Sequence, residues 1–150
     1  MNIAVGSDHA GFPLKPVVLQ ALKQMGHNVT DHGSYDSKPV DFPDIAKKIC
    51  EDILSGKADR GIMICGTGVG AAIACNKVPG IRASVCHDIY SAHQCVEHDD
   101  VKVMCIGAQI IGQSVVVELI EKFLQAEFSK SEEFRRRVAK LELMDTQFKK

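Results

Sequence analysis

Cys65 closes an apolar run, Arg60-Gly-Ile-Met-Ile-Cys65, and the chain passes straight into Gly66-Thr67-Gly68-Val69-Gly70. The run reads as a buried strand, the glycines as a loop, and Ala71-Ala72-Ile73-Ala74 as the start of a helix. A thiol therefore stands where a strand meets a helix N-terminus. Unpaired amides and the positive end of the helix dipole hold anions at such a place and favour thiolate over thiol. A soft base beside an oxyanion cradle is a chemical site. The bland alternative is a structural thiol before a tight turn.

Two further clusters carry chemistry. Asp8-His9 lies between Gly6 and Gly11 after the first strand-like run, where it serves either a site shared with Cys65 or the capping of the next helix. His98-Asp99-Asp100 ends a helical stretch, where a histidine also compensates the helix dipole. His93 and His98 are five apart and do not share a helix face, and His27 and His32 read as surface loop residues, so no metal site is expected. A C-x₅-R phosphate-transfer loop is excluded, because the sixth residue after Cys65 is Ala71. Gly66 to Ala71 also fits the dinucleotide pattern G-x-G-x-x-A, with Asp88 about 20 residues on, but that fingerprint normally follows a first strand and this loop follows a third.

The elements that must position these residues alternate. Strands are predicted at 2–6, 28–31, 61–65, 82–86 and 101–106, and helices at 14–25, 43–55, 70–77, 89–98 and 114–125. This rhythm means a parallel sheet with helices on both faces. Gly26, Gly56 and Pro79-Gly80 punctuate the first three helix ends. Ligands bind off the carboxyl ends of such strands, at Gly6–Gly11, Cys65-Gly66-Thr67, His87-Asp88 and Gly107-Ala108-Gln109. The stretch Ser131–Lys150 reads as a charged helix, over about 131–146, with Val138, Leu141, Leu143 and Met144 as an apolar stripe. Such a helix packs on a partner subunit or stays solvated.

The bulk numbers agree with this picture. The chain has 150 residues, 45% hydrophobic and 25% charged, enough for a single domain spanning 1–150. A net charge of −1 argues against nucleic-acid binding as the main task. No apolar stretch reaches the roughly 20 residues of a membrane span. The chain starts directly on a strand-like segment without a basic leader, so a cytoplasmic protein is expected. The six cysteines form no C-x-x-C pair, and five of them read as core residues in a reducing compartment.

Taken in order, these pieces resemble the ribose-5-phosphate isomerase B family, which includes galactose-6-phosphate isomerase subunits. The resemblance rests on Gly6-Ser7-Asp8-His9-Ala10-Gly11-Phe12, Asp41-Phe42-Pro43, Cys65-Gly66-Thr67-Gly68-Val69-Gly70, Asn76-Lys77-Val78-Pro79-Gly80-Ile81-Arg82-Ala83, His98-Asp99-Asp100 and Gly107. It covers the chain from Met1 to about Val138. It implies a three-layer α/β/α Rossmann-like domain with a five-stranded parallel sheet, forming a homodimer or homotetramer whose active sites are shared between subunits. It implies an aldose–ketose isomerase of the pentose phosphate pathway that uses no cofactor, with ribose 5-phosphate and ribulose 5-phosphate as the sugar-phosphate pair.

By this resemblance Cys65 moves a proton between C2 and C1, and Thr67 relays protons between the two oxygens. The amides of Gly66, Gly68, Val69 and Gly70 hold the enediolate. Preorganised donors of this kind are typically worth roughly 3–4 kcal/mol each. His98 opens the furanose ring, Asp8 and Asp99 assist at the sugar, and His9, Arg136 and Arg137 meet the phosphate. A carboxylate-base branch of the family places its base at the position of Ala71, so the chain looks like the cysteine branch.

Three positions depart from the family pattern. Asp99 stands where Asn is usual, Gln109 where Arg is frequent, and Glu133 where the first of two arginines four apart would fall if Arg137 is the second. Lost guanidinium groups weaken phosphate binding. Alternatives are therefore the same chemistry on a six-carbon sugar phosphate, a nucleotide-binding module, and an inactive relative kept as a structural subunit. Retention of Cys65, Thr67 and His98 argues against the last.

Overall fold

A computed structural model describes residues 1–148, so the last two positions of the Ser131–Lys150 stretch lie outside the described residues. The strands are β1 (Asn2–Ser7), β2 (Asn28–Asp31), β3 (Arg60–Cys65), β4 (Ala83–Val85) and β5 (Val103–Gly107). The helices are α1 (Lys15–Gln24, entered through a 3-10 turn at Phe12–Leu14), α2 (Phe42–Leu54), α3 (Val69–Asn76), α4 (Ile89–Asp99), α5 (Gln113–Gln125) and α6 (Glu132–Gln147). Every strand pairing is parallel, in the order β2-β1-β3-β5-β4. This is the expected three-layer α/β/α domain.

The central strands are apolar runs because both of their faces are covered. Ile3, Val5, Ile62, Ile64, Met104 and Ile106 face one layer, built on α1, α4 and α5. Ala4, Met63, Cys65, Val103 and Cys105 face the other, built on α2 and α3. All six cysteines are buried and free. The connections leaving β1 and β3 diverge, since β1 leads outward to β2 and β3 leads across to the β4 side. A crevice at the carboxyl ends follows from that divergence.

Some boundaries differ from the sequence reading. β5 starts at Val103 and not Val101, because Asp100 takes a left-handed conformation (φ 49°) and the Val101 amide still bonds back to the Cys95 carbonyl. β4 is shortened to three residues on the sheet edge, and Arg82 turns away to bond the Asp99 and Asp100 carbonyls and the Asp100 carboxylate. Short edge strands limit unwanted pairing. His32 is no free loop residue, since its Nε2 lies 2.7 Å from an Asp52 carboxylate oxygen. Among the described residues, no helix is long and apolar enough to cross a membrane.

Candidate active site

Cys65 ends β3 at 4% exposure. Gly68 caps α3 with φ 81°, a left-handed conformation that suits glycine, and it turns its amide back onto the thiol: the Gly68 N–H donates to Cys65 Sγ at 2.9 Å. A donor aimed at sulfur stabilises negative charge there. The Val69 N–H donates weakly to Thr67 Oγ1 at 3.4 Å, and Thr67 itself is exposed. The loop is held by close backbone approach. A Cβ on Gly107 would lie 2.6 and 2.7 Å from the Thr67 backbone, and one on Gly70 would lie 2.9 Å from the Phe42 ring. Phe42, from Asp41-Phe42-Pro43, is thus the wall against which the loop rests. Gln109 donates its amide to the Gly66 carbonyl at 3.0 Å, and its side-chain oxygen flanks Gly66.

Asp8 and Gly11 meet the end of β3 from which this loop leaves, as their position after β1 suggests. The Asp8 N–H donates to the Ile64 carbonyl at 3.1 Å, and Gly11 packs directly on the Ile64–Cys65 backbone. The Asp8 carboxylate is buried and accepts the Gly11 N–H at 2.8 Å, so one of its oxygens shapes its own loop. His9 is exposed, and its Nδ1 accepts the Val40 N–H at 3.3 Å. Behind this loop the buried Lys15 ammonium holds both Asp31 carboxylate oxygens at 2.9 Å together with the Ser34 carbonyl.

His98, Asp99, Arg136 and Arg137 do not join this cluster. α4 starts at the carboxyl end of β4 and descends to the amino ends of the strands, about 16 Å over its 11 residues. His98 therefore sits at the opposite edge of the sheet from Cys65. There it stacks on Phe134 of α6 (ring centroids 4.0 Å apart, 15° between planes), and its Nδ1 lies 2.7 Å from the Gln94 amide nitrogen. With that amide donating, the neutral ring carries its proton on Nε2. Arg137 lies over the other part of this stack, 5.5 Å from the Phe134 centroid. Arg136 and Arg137 pair with Glu132 and Glu133 one turn earlier, at 3.0 and 3.7 Å.

The chain thus carries the expected site residues as two clusters on opposite edges of one sheet. Sequence reasoning missed Phe134 and Gln94, which orient His98. A ring four residues from the Val138 contact and an amide at i−4 from the histidine were the available signals. It placed His87 at the carboxyl end of a strand but not its partner: Nε2 accepts the Gly107 N–H at 2.9 Å. Burial holds the His87 imidazole below the usual histidine range, against the opposing charge of Asp88. Asp88 caps α4 by accepting the Ser91 N–H at 2.8 Å, and hydrogen bonding from Ser91 keeps its carboxyl below the ordinary range. It is engaged as the N-cap of α4. Among the described residues, no group of three or more His, Cys, Asp or Glu side chains is arranged to hold a metal ion.

A parallel α/β sheet with a thiol and an amide loop at its carboxyl edge, beside the strand switch point, is an open α/β fold of the kind that binds ligands there. The chain belongs to the ribose/galactose isomerase family, whose model matches residues 3–141. It is 41% identical over 145 residues to the ribose-5-P isomerase B of Listeria innocua, covering 97% of this chain and 95% of that one. It is 43% identical over 131 residues to the D-erythrulose-4-phosphate isomerase of Pectobacterium atrosepticum, covering 85% of each. The structure of Clostridium thermocellum ribose-5-phosphate isomerase B superposes with a TM-score of 0.96 at 40% identity, covering 99% of this chain and 100% of that one. The chain is an isomerase of this family.

Proposed function

We propose that the protein interconverts ribose 5-phosphate and ribulose 5-phosphate through an enediolate, with Cys65 as the base. The observation that carries this reading is the Cys65 thiol at the carboxyl edge of β3, receiving the Gly68 N–H at 2.9 Å. Starting from the aldose, Sγ takes the proton from C2. The C–H electrons form the C1–C2 double bond, and the carbonyl pair moves onto O1. The Thr67 hydroxyl, free on its exposed side, passes the O2 proton to O1. Sγ–H then returns its proton to C1 while the O2 pair rebuilds a carbonyl at C2. Of the loop amides, those of Gly68 and Val69 turn onto Cys65 Sγ and Thr67 Oγ1, so the amides of Gly66 and Gly70 are the donors for the developing oxyanion.

The furanose must first open. A proton given by His98 Nε2 to the ring oxygen breaks its bond to C1, while the C1-hydroxyl proton passes to the Asp8 carboxylate oxygen that Gly11 leaves free. Within one chain His98 is out of reach of Cys65, so we assign it to the site of a second copy, with Asp99, Arg136 and Arg137 beside it. His9 then faces the sugar phosphate from the Cys65 side and the arginines from the other. Asp8 contributes its remaining carboxylate oxygen to a sugar hydroxyl. The apolar Val69 and Ile73 on the outer face of α3, 54% and 57% exposed, and the open edge of β4 beside them are surfaces for that second copy.

A second reading has its own support, because one relative at 43% identity is named for a four-carbon sugar phosphate. The test is turnover by purified protein beside Cys65→Ala, without added metal or nucleotide, on ribose 5-phosphate, erythrulose 4-phosphate and allose 6-phosphate. Ribose 5-phosphate turnover that falls by about 10²–10⁴ in the variant supports the proposal. Faster turnover of another sugar phosphate moves the substrate and keeps the base. Unchanged turnover in Cys65→Ala removes the base.

A further inference from the structure

We infer that His87 is a positioning residue for the Cys65 loop, acting through the backbone of Gly107; the inference rests on the function proposed for that loop. β4 and β5 pair through Ala83↔Val103, Ser84↔Met104 and Val85↔Cys105, and the Cys86 N–H still donates to the Cys105 carbonyl at 3.1 Å. There β4 ends, while β5 runs on to Gly107. The next amide on this side of the ladder is the Gly107 N–H. It is buried, and the His87 imidazole takes the place of the missing strand carbonyl, with Nε2 accepting at 2.9 Å.

Gly107 is the residue on which the loop sits. It is the register partner of Cys65, and its Cα face meets the Thr67 backbone so closely that no side chain fits. The next two amides, of Ala108 and Gln109, donate to the Cys65 and Gly66 carbonyls at 2.8 and 3.0 Å. The path from His87 to the thiol is therefore a continuous run of backbone contacts. His87 holds Gly107, Gly107 supports Thr67, and Gly68 beyond it donates to Sγ. To accept from Gly107, Nε2 must be unprotonated, so the ring is the neutral Nδ1–H tautomer. Burial, which disfavours its protonation, agrees with this.

Two amide substitutions that differ only in reach test the inference. His87→Gln carries an acceptor oxygen to about the place of Nε2. His87→Asn carries it only as far as Nδ1, short of Gly107. We expect kcat on the sugar phosphate to fall about tenfold to a hundredfold in His87→Asn, with KM within about twofold, and to recover most of the way in His87→Gln. Equal loss in both variants, or loss in KM alone, overturns the positioning role.

Nitrogen NMR of the wild-type protein gives a readout independent of turnover. The His87 ring should show the Nδ1–H tautomer, and the Gly107 and Gly68 amide resonances should both move in His87→Asn. A protonated Nε2, or a Gly68 resonance that stays in place, refutes the inference whatever the enzyme turns over. Failure of wild-type turnover with these NMR results intact would instead count against the proposed function.

Discussion

The proposed sharing of a site between clusters at opposite edges of one sheet makes a quantitative prediction about mixed oligomers. Cys65→Ala removes the proposed base and leaves His98. His98→Asn removes the proposed ring-opening group and leaves Cys65. If each site takes Cys65 from one copy and His98 from its two-fold partner, a heterodimer of these variants holds one site with both lesions and one with neither. Random pairing of equal amounts makes half of the dimers heterodimers, and half of their sites are intact. Two nearly inactive proteins should therefore yield about one quarter of wild-type activity per protomer when co-expressed with different tags.

The converse mixture sharpens the test. Wild type mixed equally with the double variant should keep about one quarter of full activity if sites are shared, and about one half if each chain works alone. The assay is ribulose 5-phosphate formation at saturating substrate, with the heterodimer fraction measured by sequential tag purification. No recovery in the first mixture, with one half retained in the second, would refute shared sites. It would require His98 to reach Cys65 within one chain from the far end of α4, a helix about 16 Å long.

Other consequences follow from the same geometry. Gly107→Ala places a Cβ 2.6 Å from the Thr67 backbone, so it should cost about 1–3 kcal/mol in urea unfolding and lower kcat more than a remote change of equal stability cost. Glu132→Gln with Glu133→Gln releases Arg136 and Arg137 from their pairs on α6. It should lower KM for the sugar phosphate by a few-fold at low salt, an effect that fades as ionic strength rises. Asp31→Ala leaves the Lys15 ammonium buried without its carboxylate and should destabilise by about 3–5 kcal/mol in urea titration. Lys15→Met, which removes the buried charge itself, should cost clearly less.

Much of this arrangement is legible in the residues. The five strands and their order of appearance follow from apolar runs and glycine punctuation. Gly26, Gly56 and Gly80 all take the positive φ that their places after helices require. The Asp8–Gly11 segment and the Cys65 loop meet because each follows the carboxyl end of a strand on either side of the switch point. The place of His98 was also deducible from topology. A helix that leaves the carboxyl end of one parallel strand returns to the amino end of the next, so its last turn lies away from the first edge. His98 is in that last turn, and the distance from Cys65 follows without coordinates.

The remainder depends on which strands become neighbours, and strand order in space is not written in local pattern. β5 inserts between β3 and β4, giving the order β2-β1-β3-β5-β4. Only this insertion places Gly107 opposite Cys65 and brings His87, at the end of the edge strand, against the Gly107 amide. Had β4 paired with β3, a three-residue strand would have stood beside the loop, with no backbone long enough to support Thr67. The longer strand is the one next to the thiol, and the shorter one ends where an imidazole completes its ladder. A histidine just past the end of a short edge strand is thus a recognisable signal, because the neighbouring strand's next amide needs an acceptor there. By that criterion His87 belongs with Gly107 and Phe42 among the residues proposed to hold the Cys65 loop in place, and its hydrogen bond reaches the loop through Gly107.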